Sequence, residues 1–297
     1  MSSRFQRTVQ KKVTFSGIGL HTGHDVTMHL VPAVVNSGVV FQRIDLPGEP
    51  IIPASIEYVQ DTSRSTMIGV GNCSVQTVEH LLAAVSAAGI DNLCIQVTAP
   101  EPPIADGSSL PFLQLIEEAG IKEQEAKKNE FKVLEPIYFS EGSCHLVALP
   151  SDEFKVSYTL HYPKTKIIGS QYFSFHFSKE SFKEEIAPCR TFALYEEISL
   201  LMERGLIKGG SLENAVVIKD DVIFSKEGLR YKDEMVRHKV LDLIGDLFLI
   251  GSNFSAHIIA ICSGHRTNVA FGKKLMDHFS SYSHTKKGEV NEQLCRY

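Results

Sequence analysis

The sequence lacks three features that would place a protein in a broad class at once. It has no basic excess, since 30 Lys and Arg against 35 Asp and Glu give a formal net charge of −5. That balance excludes the strongly basic surface typical of nucleic-acid-binding proteins. No run approaches the roughly 20 apolar residues of a membrane-spanning helix. The first residues, MSSRFQRTVQKKVTF, lack the apolar core of a secretory signal. We therefore expect a cytoplasmic protein that binds no nucleic acid.

Cysteines are also few and scattered. The chain has 6 of them, with no CxxC spacing. In a chain of this length, that pattern argues against both a disulfide framework and a thiolate zinc site. Reduced thiols are the expectation, and any metal site must be built from other side chains.

Hydrophobic periodicity predicts an α+β protein with two similar halves. Each half begins with short alternating or β-branched segments, which predict strands, and closes with helix, strand, helix. In the first half the predicted helices are TVEHLLAAVSAAG and SLPFLQLIEEAG, each ending at a glycine. In the second half they are a long helix from about Asp233 and TNVAFGKKLMDHFS. Duplicated units of this kind place helices on one face of a sheet and leave a cleft between the units for a site.

The charged segment KEQEAKKNE, residues 122–130, lacks apolar periodicity. Such a segment is typical of a linker between domains. We therefore predict an N-terminal domain over residues 1–124 and a C-terminal domain over residues 130–297.

The stretch VRHKVLDLIGDLFLIG carries three polar residues on an otherwise apolar helix. His238, Asp242 and Asp246 are spaced i, i+4 and i+8, which places them on one face. The simplest interpretation is the solvated stripe of an amphipathic helix. Such stripes usually contain Lys, Glu, Gln or Arg, because Asp and His are poor helix formers. A His and a carboxylate one turn apart can also bind one metal ion. The spacing alone leaves both interpretations open.

The motif TVEH supplies a candidate base and a third ligand. Glu79 and His80 fall in the first turn of a helix, where the dipole favours an ionised carboxylate. A catalytic zinc typically takes three protein ligands and leaves a position for water, beside a carboxylate that accepts the proton. His80, His238 and Asp242 would form that ligand set, with Glu79 as the general base. The alternative is a half-buried structural histidine and an acid that only stabilises the helix dipole.

A further histidine lies in CSGHRTN. His265 follows a predicted strand and a glycine, in the kind of loop that often carries function. It could act as a general acid or an electrostatic stabiliser, oriented by Asp246. In isolation it is an ordinary loop histidine.

These motifs occur in order with several others from about Thr8 to about Leu275: GIGLHTG, TVEHLLAA, DNLCIQV, EPPIADGSSLPF, PCRTF, ERGLIKGGSLENAVV, LRYKDEMVRHKVLDLIGDL and SGHRTN. The set closely resembles the UDP-3-O-acyl-N-acetylglucosamine deacetylases, zinc-dependent amidases of bacterial lipid A synthesis. The resemblance implies two similar α+β domains packed as sheet, helix, helix, sheet, with the active site between them. It implies hydrolysis of the N-acetyl group of an acylated UDP-sugar, with release of acetate, as the committed step of lipopolysaccharide synthesis.

The resemblance also implies roles for individual residues. The metal ligands would be His80, His238 and Asp242, for Zn²⁺ or, nearly as well, Fe²⁺. The catalytic residues would be Glu79 as general base, His265 as the cationic partner, Asp246 paired with it, and Thr191 at the developing oxyanion. The substrate-binding residues would be Lys239 and Phe192 at the sugar and phosphate, Tyr162 at the uracil, and His21, whose role is either structural or at the diphosphate. A monomer with at most peripheral contact to the inner membrane is expected.

One stretch departs from the family pattern. Residues Ser63, Arg64 and Ser65 stand where members often carry Met, Leu or Cys near the entrance for the acyl chain, so the preferred chain length stays open. The apolar passage itself is expected in YPKTKIIGSQYF, residues 162–173.

Two other classes stay in view: a zinc hydrolase acting on peptides or another sugar, and a non-enzymatic binding protein with a structural metal. Structural zinc sites usually have four ligands and favour Cys, which argues against the second.

Overall fold

The computed structural model describes residues 4–128 and 130–294. Its α-helices are α1 (Glu79–Ala87), α2 (Leu110–Ala119), α3 (Lys179–Ser181), α4 (Tyr195–Glu203), α5 (Glu234–Phe248) and α6 (His265–Leu294), with a 3₁₀ turn at Ile56–Tyr58 and a π-helical turn at Phe182–Ile186. Its strands are β1 (Phe5–Val9), β2 (Val13–Ile18), β3 (Asp25–Pro32), β4 (Val39–Arg43), β5 (Ile51–Pro53), β6 (Val59–Asp61), β7 (Met67–Val70), β8 (Cys73–Val75), β9 (Leu93–Val97), β10 (Ile121–Lys127), β11 (Glu130–Lys132), β12 (Ile137–Glu141), β13 (Cys144–Leu149), β14 (Lys155–Tyr162), β15 (Gly169–His176), β16 (Phe192–Leu194), β17 (Val216–Lys219), β18 (Val222–Phe224), β19 (Asn253–Ser255) and β20 (His257–Ile261).

Two five-stranded sheets share one topology. Their strand orders are β2-β3-β9-β4-β5 and β12-β13-β20-β14-β15. Each contains a single parallel pair at the same place, β4 with β9 and β14 with β20, and its other pairs are antiparallel. In each half one helix precedes the central strand and one follows it. The predicted α+β fold with duplicated units is confirmed.

The helices form the middle of the molecule. Helix α1 packs against both α2 and α5, while α5 packs against α6 and against the second sheet. Buried residues of both halves belong to one apolar core. This is the predicted order of sheet, helix, helix, sheet.

Helices α1 and α5 approach each other closely at a glycine. A Cβ added to Gly245 would lie 2.1 Å from the carbonyl oxygen of Glu79, so only a hydrogen fits there. This contact sets the first turn of α1 against the middle of α5.

Each half also carries a small three-stranded sheet. These are β6-β7-β8 in the first half and β16-β17-β18 in the second, where α4 connects β16 to β17. The predicted glycines follow α1 and α2, with Gly89 at φ 65° and Gly120 at φ 70°. Within the described residues, no helix combines the length and the apolar character needed to cross a membrane.

The predicted linker is wrong for most of its length. Residues Ile121–Lys127 form β10, which pairs antiparallel with β1. Sequence reasoning missed the strand because Gln124, a polar residue, stands at an inward-facing position where an apolar residue would have given an alternating pattern. Gln124 accepts a hydrogen bond from the Asn92 amide at 2.7 Å and donates one to the Ala33 carbonyl at 2.8 Å. The domain bounds at residues 124 and 130 stay a prediction.

Candidate active site

The three predicted metal ligands lie together where α1 meets α5. His80 comes from the first turn of α1, and His238 and Asp242 are one turn apart on α5. One potential ligand atom from each lies within 4.8 Å of the others. The Nε2 atoms of His80 and His238 are 3.6 and 3.4 Å from Oδ1 of Asp242. All three residues are buried.

The chemistry of this cluster suits a divalent cation. Oδ1 of Asp242 is buried without a hydrogen-bond donor, which is costly for a carboxylate unless a cation neutralises it. Nδ1 of His238 donates to the Cys189 carbonyl at 3.1 Å, which leaves Nε2 as the free ligand atom. Burial lowers the pKa of His238 to about 3 despite the opposing charge of Asp242, so the ring is neutral, as a ligand must be. Two nitrogens and one oxygen fit Zn²⁺ or Fe²⁺.

Lys239 neutralises the other oxygen of the same carboxylate. Its Nζ donates to Oδ2 of Asp242 at 2.8 Å. Burial lowers the pKa of Lys239, but the charge of Asp242, together with its hydrogen bond and smaller contributions from neighbouring groups, raises that pKa overall. Burial raises the pKa of Asp242, yet the positive charge of Lys239 and the adjacent imidazole of His80 help to hold it well below its usual value. The pair is therefore ionised, and the ammonium lies 5.5 Å from the centre of the Phe192 ring.

Glu79 lies beside the predicted metal ligands, and one of its carboxylate oxygens is held by a backbone amide. Oε2 accepts a hydrogen bond from the Thr66 amide at 3.0 Å, and Oε1 lies 3.8 Å from Nε2 of His265. The residue is 2% exposed. Burial raises the pKa of Glu79, and the nearby His265 and His80 only partly counter it. A carboxylate in this environment is a stronger base than one in water.

His265 and Asp246 form the predicted carboxylate-imidazole pair. Nδ1 of His265 donates to Oδ2 of Asp246 at 2.9 Å. Asp246 also accepts the Thr66 hydroxyl at 2.6 Å and the Asn268 amide at 2.8 Å. Burial lowers the pKa of His265, but the charges of Asp246 and Glu79 outweigh it and raise that pKa to about 9. The imidazole is therefore a cation at neutral pH.

Sequence reasoning missed Thr66 and Asn268. Thr66 is fully buried, and it binds Glu79 through its amide and Asp246 through its hydroxyl. No local pattern marks a threonine in a loop for this role. Asn268 follows His265 by three residues on α6, and that helical spacing was the one available signal.

The backbone of His21 is held by hydrogen bonds, whereas its imidazole ring has no hydrogen-bond partner. Its amide donates to both oxygens of Glu101, at 3.1 and 3.0 Å. The side chain is buried, and neither ring nitrogen has a hydrogen-bond partner. Burial lowers the pKa of His21. The motif thus has a structural part, in its backbone, and a neutral imidazole that is available to a ligand.

These groups surround one cavity of about 370 Å³. The predicted site residues that line it are His21, Glu79, His80, Tyr162, Thr191, Phe192, His238, Lys239, Asp242 and His265, while Asp246 contacts it through His265. The Phe192 ring packs edge-on between Tyr162 and His238, with centroid distances of 5.9 and 6.4 Å.

A second, mainly apolar cavity of about 440 Å³ adjoins the first. The two share Leu20, His21, Arg64, Thr191, Phe192 and Ala193. The rest of its lining comes from α4 and the segment after it, including Ile198, Leu201 and Met202. Residues 162–173, where the apolar passage was predicted, form the β14–β15 hairpin of the main sheet and do not line this second cavity, so that position stays a prediction.

An ion pair crosses the shared wall of the two cavities. Nη1 of Arg64 lies 2.7 Å from Oε2 of Glu197. Arg64 lies in the loop between β6 and β7, and Glu197 lies on α4, so the pair joins the two halves.

Comparison with known proteins finds one matching family and several similar proteins. The family model described as LpxC, UDP-3-O-acyl N-acetylglycosamine deacetylase, matches residues 6–277. A protein of Chlamydia pneumoniae named UDP-3-O-acyl-N-acetylglucosamine deacetylase is 52% identical over 278 residues, 93% of this chain and 99% of that protein. Proteins of the same name from Chlamydia caviae and Chlamydia trachomatis serovar L2 are 51% and 49% identical, each over 93% of this chain, and over 99% and 96% of their own lengths.

Proposed function

The chain belongs to the family of UDP-3-O-acyl-N-acetylglucosamine deacetylases, and from that membership we propose that it hydrolyses the N-acetyl group of an acylated UDP-N-acetylglucosamine. The products are acetate and the free amine, and the reaction is a step of lipid A synthesis. One observation carries the proposal: a buried His, His, Asp cluster shares a cavity with a buried glutamate and a cationic histidine.

His80, His238 and Asp242 would hold one divalent ion, which we propose is zinc, with ferrous iron as the alternative. The support is the donor set and the unpartnered Oδ1 of Asp242. When bound, such an ion polarises an amide carbonyl and makes water more acidic. With only three protein ligands, such an ion would still have room for water, as in catalytic zinc sites.

Glu79 is the proposed general base. As a water oxygen adds to the amide carbon, Oε1 of Glu79 takes the proton, while the Thr66 amide keeps Oε2 in place. The raised pKa brings the carboxyl closer to the operating pH, which makes proton transfer more efficient.

His265 and Thr191 are the proposed stabilisers of the oxyanion. Both line the cavity, and the cation of His265 is fixed by Asp246. Groups that bind developing charge more strongly than the neutral carbonyl lower the barrier and not only the binding constant. Two groups can then supply the proton to the leaving amine, His265 itself or Glu79 in its protonated form.

The remaining residues would bind the substrate. We place the sugar and phosphate part near Lys239 and Phe192, the uracil against Tyr162, and the diphosphate within reach of His21. The apolar cavity beside α4 suits the fatty-acyl chain, because it adjoins the cavity of the proposed metal ligands and shares part of its lining. Family membership is also our basis for proposing a cytoplasmic monomer with at most peripheral membrane contact.

The test compares the wild type with Glu79→Gln. We expect both proteins to contain the same amount of metal and the variant to lose deacetylation of the UDP-sugar by about 10²–10⁴-fold. Wild-type protein without metal would contradict the proposal. Acetylated peptides and other acetylated sugars, offered to the wild type, test the alternative of a different hydrolase.

A further inference from the structure

Two cysteines lie side by side on the wall of the active cavity, and the proposed reaction uses neither. Cys144 begins β13, and Cys262 directly follows β20. The strands are antiparallel and pair His145 with Ile261, so the register extended by one residue places Cys144 opposite Cys262. Sγ of Cys144 lies 2.8 Å from the Cys262 carbonyl oxygen.

The position of this pair within the sheet suits a disulfide. The Cys262 amide donates to the Thr159 carbonyl on β14 at 2.9 Å, so it points away from β13. Cys144 and Cys262 are then a pair without ladder hydrogen bonds between them, for which Cα atoms approach to about 4.5 Å. A disulfide accepts Cα separations of roughly 4.4–6.8 Å. Both thiols are free and half-buried, and both line the cavity.

We propose that Cys144 and Cys262 are a dithiol modification site, and that closing it to a disulfide switches the enzyme off reversibly. The reagent class is a small-molecule disulfide. Cys144 attacks one of its sulfurs and releases one small thiol, and Cys262 then attacks the mixed disulfide and releases the second. Two protein thiols are oxidised, one disulfide is reduced to two thiols, and the two protons leave with those thiols. Burial raises the pKa of Cys262, which assigns the first attack to Cys144.

The link to catalysis is the short segment between Cys262 and His265. Cys262 has a φ of 51° and turns the chain out of the strand. The Tyr158 hydroxyl donates to the Ser263 carbonyl at 2.5 Å, and the Gly264 amide donates to Oγ1 of Thr267 at 3.0 Å. A segment held at both ends passes on a displacement of Cys262 rather than absorbing it.

The Cα separation suits a disulfide, but the φ of 51° turns the Cys262 side chain away from the direction it would take in an extended strand, so closing the disulfide requires such a displacement. Sγ of Cys144 must leave the Cys262 carbonyl and reach its sulfur, which moves the β12–β13 turn and the start of the segment together. His265 then leaves its position 3.8 Å from Glu79. A misplacement of about 1 Å in an active site costs on the order of a hundredfold in rate.

The experiment treats the metal-loaded full chain with oxidised glutathione. We expect mass spectrometry of a non-reduced digest to show the Cys144 and Cys262 peptides joined. We also expect turnover to fall by about a hundredfold and to return with dithiothreitol. Cys144→Ser should keep wild-type turnover in reductant and lose its sensitivity to the oxidant, whereas the matched variant Cys94→Ser should stay sensitive.

Three results would overturn the proposal. The first is the absence of a joined peptide, and the second is a joined peptide with unchanged turnover. The third is full inactivation of both Cys144→Ser and Cys262→Ser by oxidised glutathione. The turnover measurements in this experiment rest on the proposed function. The joined peptide is measured without substrate, so a wild type that fails to deacetylate the UDP-sugar would remove the proposed function and leave the disulfide tested by itself.

Discussion

The carbonyl oxygen of Glu79 lies against the backbone of Gly245, with room for a hydrogen and nothing larger. Gly245 stands on α5 three residues after Asp242 and immediately before Asp246. The contact therefore positions the proposed base between the proposed metal ligands and Asp246, which hydrogen-bonds His265. One backbone approach sets the geometry of the whole site.

Gly245→Ala tests this contact. Because the added Cβ would meet backbone, which cannot move aside, we expect a loss of about 1–3 kcal/mol in the free energy of unfolding and a large loss of turnover. Urea denaturation and steady-state kinetics measure the two effects. Gly272→Ala is the matched control, since its Cβ would meet side chains and no backbone: Cδ1 of Ile56 at 2.5 Å, the end of a flexible side chain, and atoms of Ile250 and Leu247 at 3.6 Å. Equal losses of turnover in the two variants would argue against a special role for the helix contact.

The cationic state of His265 predicts the alkaline side of the pH profile. The folded-state pKa is raised to about 9, so the imidazolium is present below that pH and is lost as pH rises through it. We expect kcat/KM to fall with the same midpoint. Asp246→Asn removes the main charge that raises this pKa, so its alkaline limb should move to lower pH. Thr66→Val removes a neutral donor to the same carboxylate and should leave the midpoint nearly in place. If the midpoint of the alkaline fall in kcat/KM is the same in Asp246→Asn as in the wild type, His265 is not the group whose titration causes that fall.

Loss of a metal ligand predicts a change in stability that needs no substrate. A ligand at a hundred times its dissociation constant stabilises the folded state by about 2.7 kcal/mol. The melting temperature of the wild type should therefore drop after chelation and recover with zinc. His238→Ala should bind no zinc and show no recovery, while His29→Ala, far from the cluster on β3, should behave as wild type. Zinc bound at full stoichiometry by His238→Ala would contradict the ligand set.

The Arg64 to Glu197 ion pair predicts selectivity for the acyl chain. It holds α4, a wall of the apolar cavity, against the β6–β7 loop. Both side chains are partly exposed, so the pair is worth only about 0.2–1 kcal/mol, and we expect changes of a few fold. In Arg64→Ala, kcat/KM should rise for long or bulky chains relative to short ones, and the exchange Arg64→Glu with Glu197→Arg should restore the original ratio. A change uniform across chain lengths would show that the pair does not shape the cavity.

The sequence predicted the elements whose side chains follow a clean period. Helix α5 is apolar except for one polar face, so its type and the closeness of His238, Asp242 and Asp246 could be predicted from spacing. The repeated order of strands and helices likewise predicted the duplicated sheets.

Features that depend on contacts between distant segments could not be predicted in this way. Strand β10 has a hydrogen-bonded Gln124 where a period-two pattern would have an apolar residue. Thr66 reaches Asp246 across 180 positions of the chain. The apolar cavity is lined by residues from several elements. Its position depends on how α4 and the segment after it pack next to the small sheet β16-β17-β18.

The identical strand order of the two sheets has a consequence for how the enzyme can be stopped. Helices α1 and α5 occupy equivalent places in the repeat, yet the first contributes Glu79 and His80 and the second contributes His238 and Asp242. The proposed active site therefore belongs to neither half and is formed only where the two halves meet. A small molecule that separated α1 from α5 by the width of a methyl group would move these four residues apart, and because it would bind outside the cavity, a higher substrate concentration would not displace it.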